Sequence, residues 1–170
     1  MRRARAARAV PAAAGAVLVV LAAVVAGCGF HLQGHSPLPA ALKTPYLEVQ
    51  DRQSDFTQSL RHALISNGAQ LADRREQASA VVSIVKENFL KRTLVISPNN
   101  QAAEYEITYV ITFAVSTGDK QLLQPQELTA TRSYSFDERL LLAKGHEEDQ
   151  LRADMARDLA DRAMRLMSNL

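Results

Sequence analysis

The most regular pattern in the chain is an alternation of residue types between positions 104 and 115. The odd-numbered positions are aromatic or branched aliphatic, whereas the even-numbered positions are mostly Glu and Thr. Because successive side chains of a strand point to opposite faces, this period of two predicts one long strand. One face of that strand should be buried and the other should be polar.

Three further segments have the character of strands. Residues 46–50 predict a short first strand, and residues 80–96, rich in Val, Ile and Leu, predict a long second one. The period of two slips between residues 86 and 89, which indicates a β-bulge. Alternation returns from Leu128 to Phe136, after a turn at Gly118-Asp119.

Two segments instead have the period of an amphipathic helix. Ser54 is a suitable N-cap for a helix from Asp55 to Asn67, and Gly68 follows it as a stop. A second helix is predicted from about His146, and its apolar stripe comprises Leu151, Met155, Leu159, Ala163, Leu166 and Leu170. Its oppositely charged residues four apart indicate a solvated face, namely Glu148 with Arg152, Asp158 with Arg162, and Asp161 with Arg165.

The resulting order is β-α-β-β-β-α. We therefore predict an α+β fold, a two-layer sandwich in which two helices pack on one face of a mostly antiparallel four-stranded sheet.

The first 27 residues have the features of a secretory signal. Four arginines precede an uncharged run from Val10 to Ala26, which is near the lower length limit for a transmembrane anchor, the competing interpretation. The run ends in Val25-Ala26-Gly27-Cys28, a sequence that resembles the bacterial lipobox. Lipobox processing would expose Cys28 for acylation, and Gly29 in place of Asp favours sorting to the periplasmic face of the outer membrane.

The predicted domains are the signal peptide (1–27), a lipidated tether interrupted by prolines (28–44) and one folded domain (45–170). Without the signal the chain retains 16 basic and 18 acidic residues, a formal net charge of −2. This balance argues against a nucleic-acid partner. Cys28 is the only cysteine, which excludes an internal disulfide and a cysteine-based zinc site.

The sequence offers no pattern typical of an enzyme or of a metal protein. His31 and His35 are four apart but lie among Gly and Pro, so we predict no metal and no cofactor. Glu104 and Glu106 share a strand face without a third catalytic group, so we predict no catalysis.

Several short motifs, in order, resemble the LptE family of lipopolysaccharide-assembly lipoproteins, also known as RlpB. They are Cys28-Gly29-Phe30-His31-Leu32, Ala103-Glu104-Tyr105, Arg132-Ser133-Tyr134 with Phe136, and Leu142-Ala143-Lys144. The resemblance implies a non-enzymatic outer-membrane lipoprotein, lipidated at Cys28, that plugs the LptD β-barrel. Such a protein assists the assembly of the barrel and the delivery of lipopolysaccharide to the outer leaflet.

The same resemblance implies where lipopolysaccharide would bind. Its phosphates call for Lys or Arg donors, and the candidates are Lys144, Arg92 and Arg132, with Lys91 as a further basic neighbour. The sequence has Pro98-Asn99-Asn100 where some members of the family place a basic residue. Two alternatives remain open at this point: a pilotin-like lipoprotein serving another outer-membrane channel, and an envelope hydrolase.

Overall fold

The computed structural model describes residues 38–98, 100–136 and 141–170, with the side chains of residues 141–144 excepted. The elements are β1 (Pro45–Glu48), α1 (Asp55–Ser66), β2 (Ala80–Ile96), β3 (Ala102–Thr117), β4 (Lys120–Ser135) and α2 (Leu141–Met167), with single 3-10 turns at Ala40–Leu42 and Arg75–Gln77. The predicted order is confirmed. The sheet has the order β1-β2-β3-β4, with β1 parallel to β2 and the other neighbours antiparallel.

The core lies between the two helices and one face of the sheet. Five odd-numbered side chains of β3 are fully buried, as their alternation predicted, and Tyr105 is partly buried: the five are Ile107, Tyr109, Ile111, Phe113 and Val115. The helices contribute the fully buried Phe56, Leu60, Leu64, Met155, Leu159 and Ala163. Burying one large apolar side chain contributes roughly 1.5–3 kcal/mol, so this interface stabilises the fold strongly.

The predicted bulge in the second strand is present at Val85. The register between β2 and β3 shifts between Ile84 and Lys86, and Val85 is 53% exposed. Because of the extra residue, even-numbered positions such as Val82 and Ile84 face the helices before the bulge. After it, odd-numbered positions face them, beginning with Glu87. This switch explains why the period of two slips in the sequence.

The start of α1 is fixed by its predicted cap. The Ser54 hydroxyl accepts a hydrogen bond from the Thr57 backbone N–H at 3.1 Å, which satisfies one of the free donors of the first turn. Asn67 ends the helix, and Gly68 follows with a φ of +90°, a conformation that favours glycine.

Two elements begin earlier than the sequence predicted. β4 starts at Lys120 instead of Leu128, because Pro125 lies in a bulge of this edge strand, where its missing N–H breaks no ladder bond. α2 starts at Leu141 instead of about His146, since Leu, Ala and Lys at 141–144 are strong helix formers. Leu170, predicted on the apolar stripe, lies beyond the helix and is 38% exposed. No helix in the described ranges is long and apolar enough to cross a membrane.

The folded part of the chain also begins before residue 45. Leu42 lies in the 3-10 turn, is fully buried and belongs to the core cluster, and Leu38 packs against that cluster. The Ser79 hydroxyl donates to the Ala41 carbonyl at 2.7 Å, which fastens this turn to the start of β2. The last residues of the predicted tether are therefore part of the domain.

Candidate functional site

The face of the sheet opposite the helices is rich in hydroxyl groups. On β3 and β4 it presents Thr108, Thr112, Thr129, Thr131, Ser133 and Ser135, here called the hydroxyl face. The register places Thr108 beside Thr131, Val110 beside Thr129 and Glu106 beside Ser133, so hydroxyls line β4, while on β3 they are interspersed with Val110 and acidic residues. Polar groups that are neutral can form hydrogen bonds without the desolvation cost of a charge, which suits contact with another polar surface.

Charged residues border the hydroxyl face at one end. The Arg92 guanidinium donates through Nε to Glu106 Oε1 at 2.6 Å, and both side chains lie on this face. The hydrogen bond to Glu106 raises the pKa of Arg92 above its ordinary value. Arg92 is mostly exposed, so this ion pair contributes little to folding and leaves the guanidinium accessible.

A second group of side chains gathers at the same end of the sheet but on the helix side. Lys91 Nζ lies 4.2 Å from the centre of the Tyr105 ring and donates to Glu148 Oε2 at 2.5 Å. Tyr134 also donates to Glu148, and its ring packs with that of Tyr105 at 5.8 Å between centroids. We call these four residues the Lys91 cluster. It links β2, β3 and β4 to the second turn of α2.

The charges of the Lys91 cluster stabilise each other. Burial alone would raise the pKa of Glu148, but the hydrogen bonds from Lys91 and Tyr134 outweigh burial and hold it below the ordinary 4.5. Burial alone would likewise lower the pKa of Lys91, and its bond to Glu148 raises it instead. Lys91 and Glu148 are therefore both charged at neutral pH. Tyr134 stays a neutral donor, because burial and Glu148 raise its pKa.

Glu148→Gln should destabilise the protein by about 1 kcal/mol at pH 7, because it removes a charge-assisted hydrogen bond that is partly screened by solvent. A carboxyl whose folded-state pKa is lowered contributes stability above pH 4.5, and that contribution is lost as the pH falls through the folded value. Urea denaturation at pH 7 and at pH 3 measures both effects. The difference between wild type and variant should shrink at pH 3, whereas Asp161→Asn, an exposed position on the same helix, should change stability little at either pH. An equal loss at both pH values would contradict the role assigned to the Glu148 charge.

The pairing of Glu148 corrects the interpretation drawn from spacing. Glu148 was predicted to pair with Arg152 in a solvated row, but its hydrogen bonds are with Lys91 and Tyr134, and Arg152 acts on it only as a nearby positive charge. Arg152 lies over the Phe89 ring, with Nε 2.9 Å from Asp55 Oδ2 on α1. The predicted pair of Asp158 and Arg162 is confirmed at 2.6 Å. Spacing identifies partners on the same helix, whereas the partners of Glu148 come from strands distant in sequence.

A cleft of about 220 Å³ lies beside the start of α1 and contains a second partly buried carboxylate. Glu87 accepts hydrogen bonds from the Ser54 hydroxyl, at 2.9 Å, and from the Tyr109 hydroxyl. Tyr109 in turn accepts from the Phe56 backbone N–H at 3.3 Å. Burial and the bond to Glu87 raise the pKa of Tyr109 well above its ordinary value, so it stays a neutral donor. This network joins the N-terminus of α1 to β2 and β3.

The structure separates the basic residues that the sequence grouped as a lipopolysaccharide site. Arg92 lies on the hydroxyl face, whereas Arg132 lies on the helix side, 3.9 Å from Asp158. Lys91 and Arg132 are the two cross-strand neighbours of Ile107 on the helix side of the sheet. Their Cα atoms are therefore about 10 Å apart, twice the spacing of adjacent strands. Residue 144 lies in the first turn of α2, four positions before Glu148 in the chain. Cys28, His31, His35 and Asn99 lie outside the described residues.

Comparison with known proteins decides the family. The chain matches the LptE family, described as lipopolysaccharide-assembly, over residues 42–167. It belongs to the LptE family. This is a family of assembly lipoproteins and not of enzymes.

Relatives and solved structures agree with the LptE assignment. The LPS-assembly lipoprotein LptE of Pectobacterium atrosepticum is 27% identical over 88% of this chain and 81% of its own length. That of Photorhabdus laumondii is 29% identical over 84% of this chain and 78% of its own. Rare lipoprotein B from Shewanella oneidensis superposes with a TM-score of 0.64 and 28% identity, over 74% of this chain and 94% of that one. Lipoprotein B from Nitrosomonas europaea gives a TM-score of 0.67 and 27% identity, over 82% and 90%.

The fold brings together LptE motifs that lie about 30 residues apart in the chain, at the start of β3 and at the end of β4. Tyr105 opens β3, while Tyr134 and Phe136 close and follow β4, and the rings meet at 5.8 and 5.2 Å from Tyr105. The fourth motif, Leu142-Ala143-Lys144, lies in the first turn of α2, whereas the sequence pattern had placed it before the helix. The three motifs within the described residues therefore meet at the end of the sheet that carries the Lys91 cluster.

Proposed function

We propose that this LptE-family protein is an outer-membrane lipoprotein, acylated at Cys28, that occupies the lumen of an LptD-type β-barrel. There it assists assembly of the barrel and delivery of lipopolysaccharide to the outer leaflet. Membership of the family supports the assembly role. The Val25-Ala26-Gly27-Cys28 sequence supports the lipid anchor and the periplasmic location.

The observation that carries the barrel partnership is the hydroxyl face. The lumen of a large outer-membrane barrel is polar, so a protein that fills it must offer hydrogen-bonding groups over a broad surface. The helices cover one side of the sheet and leave the other, with its Thr and Ser rows, uncovered within the described residues. Neutral hydroxyls both donate and accept, so they can match the mixed donors and acceptors of a barrel wall.

Purification of the tagged full-length protein from outer membranes in mild detergent tests this proposal. We expect a stoichiometric β-barrel of the LptD type to co-purify. A matched pair of variants locates the contact: Thr131→Arg, on the hydroxyl face, should weaken recovery of the barrel, whereas Arg157→Ala, on the exposed side of α2, should not. Recovery of the lipoprotein alone would overturn the partnership, and recovery of a different channel would support a pilotin-like role.

Lipopolysaccharide recognition is assigned to Lys144, with Arg92 and Arg132 as further contacts. Lys144→Glu should reduce lipopolysaccharide binding roughly tenfold or more, because it replaces a charge-assisted hydrogen bond to phosphate with repulsion. Arg92 and Arg132 already face Glu106 and Asp158, so their reversal should have smaller effects.

Binding of purified lipopolysaccharide to the mature protein measures the effect of Lys144→Glu, and barrel co-purification should be unchanged. Lys120→Glu, at the exposed turn between β3 and β4, is the matched charge reversal at the other end of the sheet. Equal loss in both variants would show a general charge effect and would contradict a site at Lys144.

A further inference from the structure

The sheet has two edges, and they differ in how their backbone groups are satisfied. β1 pairs with β2 only from Ala80 to Ser83, so most of β2 has a second edge without a strand beside it. Residues 49–54 cover the next few positions, where Ser54 reaches Glu87. From Asn88 to Ile96, no backbone or side-chain group in the described part of the chain bonds this edge. We call Asn88–Ile96 the open edge.

The opposite edge, along β4, has five carbonyls bonded by the protein's own side chains. Arg162 donates to the Thr129 carbonyl at 3.2 Å and Arg132 to the Thr131 carbonyl at 2.9 Å. Gln121 donates to the Leu123 carbonyl at 2.8 Å, and Gln126 reaches the carbonyls of Gln124 and Pro125. Pro125 also has no N–H to offer. Capping by long side chains and proline blocks the pairing of an edge with another strand.

The open edge has apolar side chains in place of such protection. Leu90, Leu94, Val95 and Ile96 are 56%, 45%, 44% and 63% exposed. A long exposed strand with unpaired amides and carbonyls, flanked by apolar groups, is the arrangement that accepts an additional strand. The ligand class is therefore an extended polypeptide, since it must supply a matching row of backbone donors and acceptors.

After the proposed cleavage before Cys28, the chain's own N-terminal residues would be too short to fill the open edge. Ala41 is bonded to Ser79, and Asn88 lies nine positions further along β2, or about 30 Å away at about 3.3 Å per residue. Residues 28–37 span at most about 35 Å when fully extended. They could reach the beginning of the open edge but not run along it to Ile96.

A second copy of the chain is also a poor match. Full antiparallel overlap of two open edges is centred on residue 92, which places Arg92 of one copy opposite Arg92 of the other. Like charges directly opposite each other destabilise a strand pair. The Arg92 side chain is bonded to Glu106 but is 71% exposed, so the complementary strand should contain apolar residues and at least one carboxylate near Arg92.

We propose that the open edge of β2 receives an extended, partly acidic segment of the β-barrel partner as a fifth strand of the sheet. The identity of the donor rests on the proposed function. The partner is then held in two ways: by backbone hydrogen bonds at Asn88–Ile96 and by side-chain contacts on the hydroxyl face.

Hydrogen exchange of individual backbone amides distinguishes strand addition from side-chain contact. In the free protein, the amides of the open edge that point away from β3 should exchange quickly. In the purified complex with the barrel, alternate amides between Asn88 and Ile96 should slow by about 100-fold or more, because only hydrogen-bonded amides gain such protection. The outward amides of β4 provide the internal control and should gain no alternating protection.

A paired substitution provides the second measurement. Leu94→Lys places a charge on the open edge and should weaken barrel association about tenfold without unfolding the protein, because Leu94 is 45% exposed. Ile65→Lys, at a similarly exposed apolar position on α1, should leave association unchanged.

The outcomes separate the two proposals. A complex that forms without slowed amides at Asn88–Ile96 overturns strand addition and leaves the proposed function standing. Slow exchange of these amides in the barrel-free protein also overturns strand addition. If the slowing does not depend on protein concentration, the chain's own residues fill the edge. If it increases with concentration, a second copy fills it. Failure to obtain any complex with the barrel overturns the proposed function instead.

Discussion

Replacing Cys28 with alanine should abolish the proposed acylation and leave the protein water-soluble, without the proposed membrane anchor. Each buried methylene of an acyl chain contributes about 0.8 kcal/mol to membrane binding, and a bacterial lipoprotein has several chains, so the loss amounts to many orders of magnitude in partitioning. The variant should be expressed behind a conventional cleavable signal in place of residues 1–27, so that the signal itself does not remain as an anchor.

Partitioning of the purified protein between water and a detergent phase measures this change without interference from the barrel. Wild type should enter the detergent phase and incorporate labelled palmitate, whereas Cys28→Ala should stay in water. Ser36→Ala, in the same segment, is the control and should behave as wild type. A Cys28→Ala protein that still enters the detergent phase would show that another part of the chain binds lipid.

Leu42→Ala should lower the free energy of unfolding by about 2–5 kcal/mol, the usual cost of truncating a fully buried leucine. Leu42 precedes β1 and lies in a segment that its prolines mark as a tether, so only its burial in the core predicts so large an effect. Urea denaturation of the mature domain, monitored by circular dichroism, gives the difference directly.

Leu94→Ala is the matched control for Leu42, since it is the same change at a 45% exposed position of β2. It should change stability by no more than about 0.5 kcal/mol. A loss at Leu42 as small as that at Leu94 would contradict the burial of Leu42 and would return residues 38–44 to the tether.

The strength of local patterns explains which elements the sequence predicted well. β3 alternates without a break, so its buried residues were predicted one by one. α1 has a serine cap and a glycine stop, and both act on backbone groups within a few residues, so its limits were predicted closely. The limits of β4 and α2 were less accurate, because Pro125 and Gly145 are usually breakers and the structure accommodates both.

The candidate surfaces were predictable only in part. The hydroxyl face follows directly from alternation in β3 and β4, because a period of two separates the faces of any strand. The separation of Arg92 from Arg132 does not follow from spacing, because it depends on how three strands are aligned in register. Glu148 illustrates the same limit, since its partners Lys91 and Tyr134 are 57 and 14 residues away.

The sequence by itself determined the order of the elements, the two-layer fold and the family resemblance, and it predicts the targeting segment. These properties depend on local propensities, on periodicity and on short motifs, all of which are read within a few residues. Only the tertiary structure decided that Leu42 belongs to the core, that the aromatic motifs converge beside Lys91, and that β2 has an open edge while β4 is capped. These features depend on contacts between residues distant along the chain, which strand register and helix packing bring together.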